Sequence, residues 1–203
     1  MSHKQSDIVI LANGTFPTHP VPLDVLSHAR HVVCCDGAVS HIASIPTKNI
    51  TVIGDGDSVP AEYRHLLIKV DEQEDNDLTK ATRYCLAHLS PQRIAYLGAT
   101  GEREDHTIGN IALLMRYYRQ MGVEGTMLTD HGWFTPAQGT RTFDSVPGQQ
   151  VSIFNFGCRH IVSEGLRWNS YAYDEWWQGT LNEATGNSFT LHTDGYFMVY
   201  QTY

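Results

Sequence analysis

An α/β amino-terminal domain with a mostly parallel sheet flanked by helices, followed by an antiparallel β-sandwich domain, is the fold class this sequence predicts. Over roughly the first 120 residues, short β-branched apolar runs alternate with segments of helical periodicity. Those runs are apolar throughout and end at Gly, Asp or Asn, as strands of a parallel sheet covered on both faces do. Beyond Gly122 the texture changes to β-rich segments divided by Gly, Pro, Asn and Asp, with no convincing helix.

In chain order, "DIVILA", "HVVCCD", "ITVIGD" and "RIAYLGA" read as strands, with "HLLIKV" a weaker fifth. Between them, "LDVLSHA", "AVSHIAS", "DLTKATRYCLAHL" and "DHTIGNIALLMRYYRQM" read as helices. The last two place Leu78, Ala81, Cys85 and Leu89, and Ile108, Ile111, Ala112 and Met115, at helical spacing, which predicts their buried faces. "EGTMLTD", "GWFTPAQ", "TRTFDSV", "QQVSIFNF", "NSFTLHT" and "YFMVYQTY" form the β-rich remainder. The boundary falls between residues 125 and 145, giving a domain at 1–128 and a second at 129–203.

The 203 residues suffice for one large domain or two small ones with a sizeable core. A net charge of −8 without a Lys/Arg run argues against nucleic acid or an anionic membrane as partner. A polyanionic ligand would need local cations: a divalent metal, Arg or Lys. The amino terminus shows no long apolar leader, and no run approaches transmembrane length. Cys34, Cys35, Cys85 and Cys158 form no CxxC pair, which fits reduced thiols in a cytoplasmic protein.

In open parallel sheets, ligands bind beyond the carboxyl ends of the strands. Four acidic or Gly-rich groups stand at such ends. The most pointed is "GDGDS", where Asp55 and Asp57 flank a glycine. Two carboxylates about 4 Å apart repel by roughly 4 kcal/mol at an effective dielectric near 20, so a cation between them is expected. Mg²⁺ suits this donor set, because it takes one or two carboxylates plus phosphate oxygens. The structural alternative is an Asx turn with Ser58 capping a helix that begins near Pro60.

Asp36 and Gly37 follow "HVVCC". Glu74, Asp75 and Asp77 precede a helix whose first turn carries Lys80, either a phosphate contact or an exposed ion pair with Asp77. "GATGEREDHTIGN" offers backbone N–H groups for an anion, the forked cation of Arg103, Asp105 at the next helix start, and Asn110 beyond it. It is not a P-loop, since no GK[ST] follows the glycines. Eleven histidines without HxH or HExxH spacing make a transition-metal site improbable. Trp168, Tyr171, Tyr173, Trp176 and Trp177 are expected mostly in the sandwich core, although such a cluster also suits a flat cationic ligand.

Taken together, "CDGAVSHI", "GDGDS", "EDNDLTKA", "GATGEREDHTIGN", "GLRWN" and "LNEATG" resemble, in order, the thiamine pyrophosphokinase family. The resemblance implies an α/β catalytic domain that binds ATP, a β-sandwich that binds thiamine, and a homodimer with active sites between subunits. It implies Mg²⁺-dependent transfer of the pyrophosphoryl group of ATP to the thiamine hydroxyl, releasing AMP. By similarity, Asp55, Asp57 and Asp77 hold the metal and phosphates, with Lys80 assisting in catalysis. Asp36, Gly37, Ser58, Arg103, Asp105 and Asn110 fall on the nucleotide side, and Trp168 and Asn182 in the thiamine pocket. The hydroxyl would attack the β-phosphorus, one aspartate of the cluster, such as Asp77, taking its proton.

Four positions depart from the family pattern. Glu74 and Asn76 lie in an acidic segment that usually reads D-x-T-D, Glu102 stands where glycine is commoner, and Leu181 replaces a usual serine. Two rival functions are a haloacid dehalogenase-like phosphatase using the D-x-D of "DGDS", and a non-catalytic nucleotide- or thiamine-binding module.

Overall fold

The computed structural model describes residues 6–44 and 49–203; residues 1–5, part of the amino-terminal stretch read above as leaderless, and 45–48 lie outside it. The chain divides into two compact units with the break between Asp130 and His131.

The first unit contains β1 (Ile8–Leu11), α1 (Pro20–His28), β2 (His31–Cys35), β3 (Ile50–Gly54), β4 (Leu67–Lys69), α2 (Asp77–His88), β5 (Ile94–Leu97), α3 (Glu104–Met121) and β6 (Gly125–Leu128). Its strands are all parallel in the order β4-β3-β2-β1-β5-β6. Every residue of β1 and β5 is buried, and β2 and β3 expose only part of their first residue. That burial explains why the runs are apolar without alternation. Strand order grows outward from β1 to β4, then α2 returns the chain to β5 on the other side of β1. The crevice between β1 and β5 is therefore the topological switch point, where open α/β sheets bind ligands.

"AVSHIAS" lies in a 3-10 segment, Asp36–Ser44, rather than an α-helix. A second 3-10 segment, Ala61–Leu66, follows Pro60, and no side chain caps it, so the expected capping by Ser58 does not occur. "EGTMLTD" belongs with the first unit: β6 pairs in parallel with β5 and closes the α/β sheet. Helix α2 buries Leu78, Ala81 and Cys85 as its spacing predicts, while Leu89 caps its carboxy terminus and is only half-buried. Helix α3 follows its prediction at Met115, leaves Ile111 half-buried, and departs from it at Ile108 and Ala112. It buries Leu114, Met115 and Tyr117, while Ile108 is 58% exposed and Ala112 is also exposed. Only the carboxy-terminal half of α3 rests on the sheet, against β6, so periodicity in its first turns carries no burial.

The second unit contains β7 (Gly132–Gln138), β8 (Arg141–Asp144), β9 (Gln150–Asn155), β10 (Ile161–Glu164), β11 (Asn182–Glu183), β12 (Ser188–Thr193) and β13 (Tyr196–Thr202). All its pairings are antiparallel, in the orders β11-β9-β13-β7 and β10-β12-β8. Alternate residues meet between the two sheets in a core that includes Val151, Ile153, Phe189, Leu191, Phe197 and Val199. Phe143 stacks on Phe189 at 5.1 Å and meets Phe197 edge-on at 6.3 Å. An α/β unit and an antiparallel sandwich, the expected fold class, are both present.

Candidate active site

A cleft of about 360 Å³ opens at the carboxyl ends of β1, β2 and β5. Its floor is set by two loops that run side by side. Gly14 N–H donates to Gly98 O at 2.7 Å, and Thr15 N–H donates to Thr100 O at 2.9 Å. Gly101 takes a φ of +77° and packs on Thr15, a close approach that a Cβ would block.

The cleft brings together Asp36, Ser58, Asp77, Arg103 and Asn110 from the expected set, and adds Asn13, Asn76 and His106. Asn13 lies two residues beyond the end of β1, and Asp36 directly follows β2. Position at a strand end was the signal that could have found it. Asp55, Asp57, Gly37, Lys80 and Asp105 do not line the cleft themselves.

Helix α2 begins at Asn76, whose Oδ1 accepts from Thr79 N–H at 3.0 Å and Thr79 Oγ1 at 2.9 Å. This is a full N-cap. The same carboxamide donates to Asn110 Oδ1 at 3.3 Å, and Asn110 Nδ2 donates to Ala99 O at 2.8 Å. The start of α2, the second turn of α3 and the loop after β5 are thereby tied across the cleft. Asp77 follows the cap, and Lys80 Nζ donates to its Oδ1 at 3.1 Å. The expected exposed ion pair is a sheltered one, since the Lys80 side chain is only 5% exposed.

Asp75 turns away from the cleft to Arg116, 2.8 Å from its Oδ1, and to Arg83. Hydrogen bonding from Arg116 holds its carboxyl below the ordinary range. Glu74 is exposed and does not reach the cleft. Of this acidic segment, then, Asp77 alone faces the site.

Arg103 lines the cleft and forks onto Asp105, Nε to Oδ1 at 3.1 Å and an Nη to Oδ2 at 2.6 Å. That grip lowers the Asp105 carboxyl to about 2. Asp105 does not cap α3; Arg103 occupies the cap position without a side-chain cap bond. Three of the five guanidinium donors stay available for an anion.

After β3, Asp55 Oδ1 accepts from Asp57 N–H at 3.1 Å, so the expected Asx turn is present. The Asp57 carboxylate is exposed and makes no hydrogen bond or ion pair among the described residues. Asp36, by contrast, is 7% exposed and spends its carboxylate on Gly56 and Ser58. Among the described residues no group of three or more His, Cys, Asp or Glu is gathered to hold a metal ion. Mg²⁺ requires less, one or two carboxylates with phosphate oxygens completing the shell, and Asp57 and Asp77 are suitable hard donors.

The second unit has its own pocket, about 270 Å³, lined by Trp168, Tyr171, Tyr173, Gln178, Leu181 and Asn182 among others. The core expectation for its aromatics fails for four of the five. Tyr173 is buried at 5%, whereas Trp168, Tyr171, Trp176 and Trp177 are 54%, 53%, 39% and 72% exposed. The segment from Trp168 to Leu181 runs as loop and one 3-10 turn, so only Tyr173 enters the core. Trp176 packs partly on Phe154 and Phe156, and Arg167 lies over the Trp168 ring at 5.6 Å. Asn182 is 5% exposed; its Oδ1 accepts from Trp168 N–H at 3.2 Å and its Nδ2 donates to Trp168 O at 2.8 Å.

Two family models match the chain: "Thiamin pyrophosphokinase, catalytic domain" over residues 23–124 and "Thiamin pyrophosphokinase, substrate-binding domain" over residues 132–200. Solved structures with the same fold include thiamine pyrophosphokinase from Bacillus subtilis, 18% identical at a TM-score of 0.79, covering 96% of this chain and 98% of that one. The thiamin pyrophosphokinase of Geobacillus thermodenitrificans is 21% identical, with a TM-score of 0.77 and 97% of each chain covered. That of yeast is 14% identical, with a TM-score of 0.78, covering 98% of this chain and 87% of that one. No curated protein matches by sequence comparison. Likeness at these identities speaks for the fold, and the matched models extend it to family. The chain belongs to the thiamin pyrophosphokinase family.

Proposed function

We propose that this protein works as a thiamine diphosphokinase whose first unit binds ATP with Mg²⁺ and whose second unit binds thiamine. The reaction transfers the pyrophosphoryl group of ATP to the thiamine hydroxyl, giving thiamine diphosphate and AMP. The single observation that carries the division of labour is the pairing of an anion-suited cleft in one unit with an exposed aromatic pocket in the other.

The triphosphate lies in the cleft of the first unit, where Arg103 offers its free donors and Asn110 holds the loop after β5. Asp57 and Asp77, with Asp55, would hold Mg²⁺, which when bound would offset phosphate charge and polarise the β-phosphoryl group. Lys80 fixes the Asp77 carboxylate by its hydrogen bond and adds positive charge beneath it. The thiamine hydroxyl attacks the β-phosphorus in line with departing AMP, and a carboxylate of the aspartate cluster accepts its proton. Such transfers ask mainly for positioning and charge stabilisation.

In the second unit, the exposed faces of Trp168 and Tyr171 suit stacking against the flat, cationic rings of thiamine, worth ~0.5–2 kcal/mol. Asn182 serves that contact by holding Trp168. The exposed rings also support a homodimer with active sites between subunits. A cytoplasmic location fits four free, buried cysteines, and no helix among the described residues is long and apolar enough to cross a membrane.

Incubating the protein with ATP, Mg²⁺ and thiamine tests the reading. AMP and thiamine diphosphate in equal amounts support it. Release of inorganic phosphate alone would favour a phosphatase, and ligand-induced thermal stabilisation without turnover would favour a binding module.

A further inference from the structure

We propose that Asp36 acts as a positioning residue, its buried carboxylate clamping the Gly56–Ser58 backbone so that the turn bearing Asp55 and Asp57 keeps one shape. The inference rests on the functional reading above only for what the turn then does.

The clamp is a closed set of hydrogen bonds. Asp36 Oδ1 accepts from Gly56 N–H at 3.1 Å, and Oδ2 accepts from Ser58 N–H at 3.0 Å. Ser58 Oγ donates to the same Oδ2, and itself accepts from Gly37 N–H at 3.2 Å. Three residues placed by sequence on the nucleotide side, Asp36, Gly37 and Ser58, are thus bonded to one another.

The surroundings are shaped for this arrangement. A Cβ at Gly54 would lie 2.9 Å from Asp36 Cβ, and one at Gly37 would lie 3.0 Å from Ser58 Oγ. Both glycines therefore let β2 and β3 ends close around the carboxylate. Asp36 itself sits at φ +39°, a conformation uncommon outside glycine, which a side chain held by three donors can maintain. A buried carboxylate accepting three hydrogen bonds leaves little capacity for a ligand. Asp57, one residue before Ser58, has its carboxylate free of protein partners among the described residues. The clamp fixes the backbone, and the outer carboxylate is left for the cation.

The test compares wild type with Asp36→Asn and Ser58→Ala. Asparagine keeps the shape but turns an amide against donors; alanine removes only the hydroxyl link. Hydrogen exchange at the Gly56 and Ser58 amides requires neither ligand nor turnover. Both should exchange faster in Asp36→Asn, with a smaller rise in Ser58→Ala. The half-saturating Mg²⁺ concentration for turnover should rise roughly tenfold in Asp36→Asn, as for residues that orient metal ligands, while thiamine KM changes less than about twofold. Unchanged exchange at both amides overturns the clamp. So does equal weakening of ATP binding with and without Mg²⁺, which marks direct nucleotide contact. If wild type makes no thiamine diphosphate, the functional reading fails, and the exchange result still decides the clamp.

Discussion

The Asn182 carboxamide grips Trp168 by its backbone, accepting from the N–H and donating to the C=O, as a neighbouring strand would. Trp168 stands just beyond the bridge between Leu166 and Ala184, where regular pairing has ended, so the side chain extends the ladder by one step. Asn182→Ala should cost about 1–2 kcal/mol of stability and raise thiamine KM by about tenfold, leaving ATP KM unchanged. Trp168→Ala should raise thiamine KM similarly with little loss of stability, because its ring is exposed. Steady-state kinetics with thermal melts check both. If Asn182→Ala melts lower but binds thiamine as wild type does, the carboxamide serves the sandwich and not the pocket.

Asn76 has two tasks that one substitution can separate. Serine can still cap α2 but is too short to reach Asn110, whereas alanine can do neither. Asn76→Ala should lose about 1 kcal/mol through the missing cap, and Asn76→Ser a few tenths. Both should raise ATP KM to a similar extent, since both lose the tie across the cleft. An ATP KM that rises in the alanine variant alone would show that capping is all Asn76 does.

Asp57 and Asp77 should differ in stability though not in their effect on turnover. Changing either to Asn should lower kcat by on the order of a hundredfold or more, if their charge is directed at the transferring phosphates. Asp57→Asn should leave the melting temperature unchanged, because no protein partner is lost. Asp77→Asn should also cost about 1–2 kcal/mol, because it leaves the sheltered Lys80 amine without its carboxylate. Near-native turnover in both would remove these residues from the chemistry.

The Asp105 carboxyl, at about 2 against an ordinary 3.8, gives a pH prediction of definite sign. Its folded value is depressed, so its stabilising contribution is complete above about pH 4 and is lost as pH falls through 4 toward 2. Activity near neutrality should therefore show no limb from Asp105. Arg103→Gln should return its carboxyl ¹³C titration to near the ordinary value. The pair is exposed, so global stability should hardly move. A titration unchanged by Arg103→Gln would mean that the fork does not persist in solution.

Strands were legible where burial is two-sided: Ile8–Leu11 and Ile94–Leu97 are apolar at every position because water touches neither face. The face of α3 was not, because Ile108 and Ala112 obey helical spacing while the first turns overhang the cleft. Strand-end residues were found by type and place, but type could not separate Asp36, turned inward, from Asp57, turned outward. That distinction depends on backbone donors from Gly56 and Ser58, which no side-chain pattern records. The aromatic run from Trp168 to Trp177 misled for a related reason. Composition assigns rings to a core, and only the loop path shows that all but Tyr173 stay outside it.

Glu102 and Leu181, two of the departures from the family pattern, both take left-handed backbone, at φ +62° and +64°. For Glu102 this explains why glycine is commoner at its place. A side chain there costs about 1–2 kcal/mol in the folded state, and glycine costs about 0.4–1 through the unfolded chain. Glu102→Gly should therefore raise stability by roughly 0.5 kcal/mol, one to two degrees in a chain of this size. Glu102 also lines the cleft beside Arg103, so losing its charge should lower ATP KM about two- to fivefold at low salt and less at high salt. Glu102→Gln removes the charge but keeps the strained backbone. It should reproduce the fall in KM without the gain in melting temperature. If glutamine matches glycine in both, charge repulsion and not backbone geometry is the burden at this position; if neither lowers KM, Glu102 does not face the phosphates.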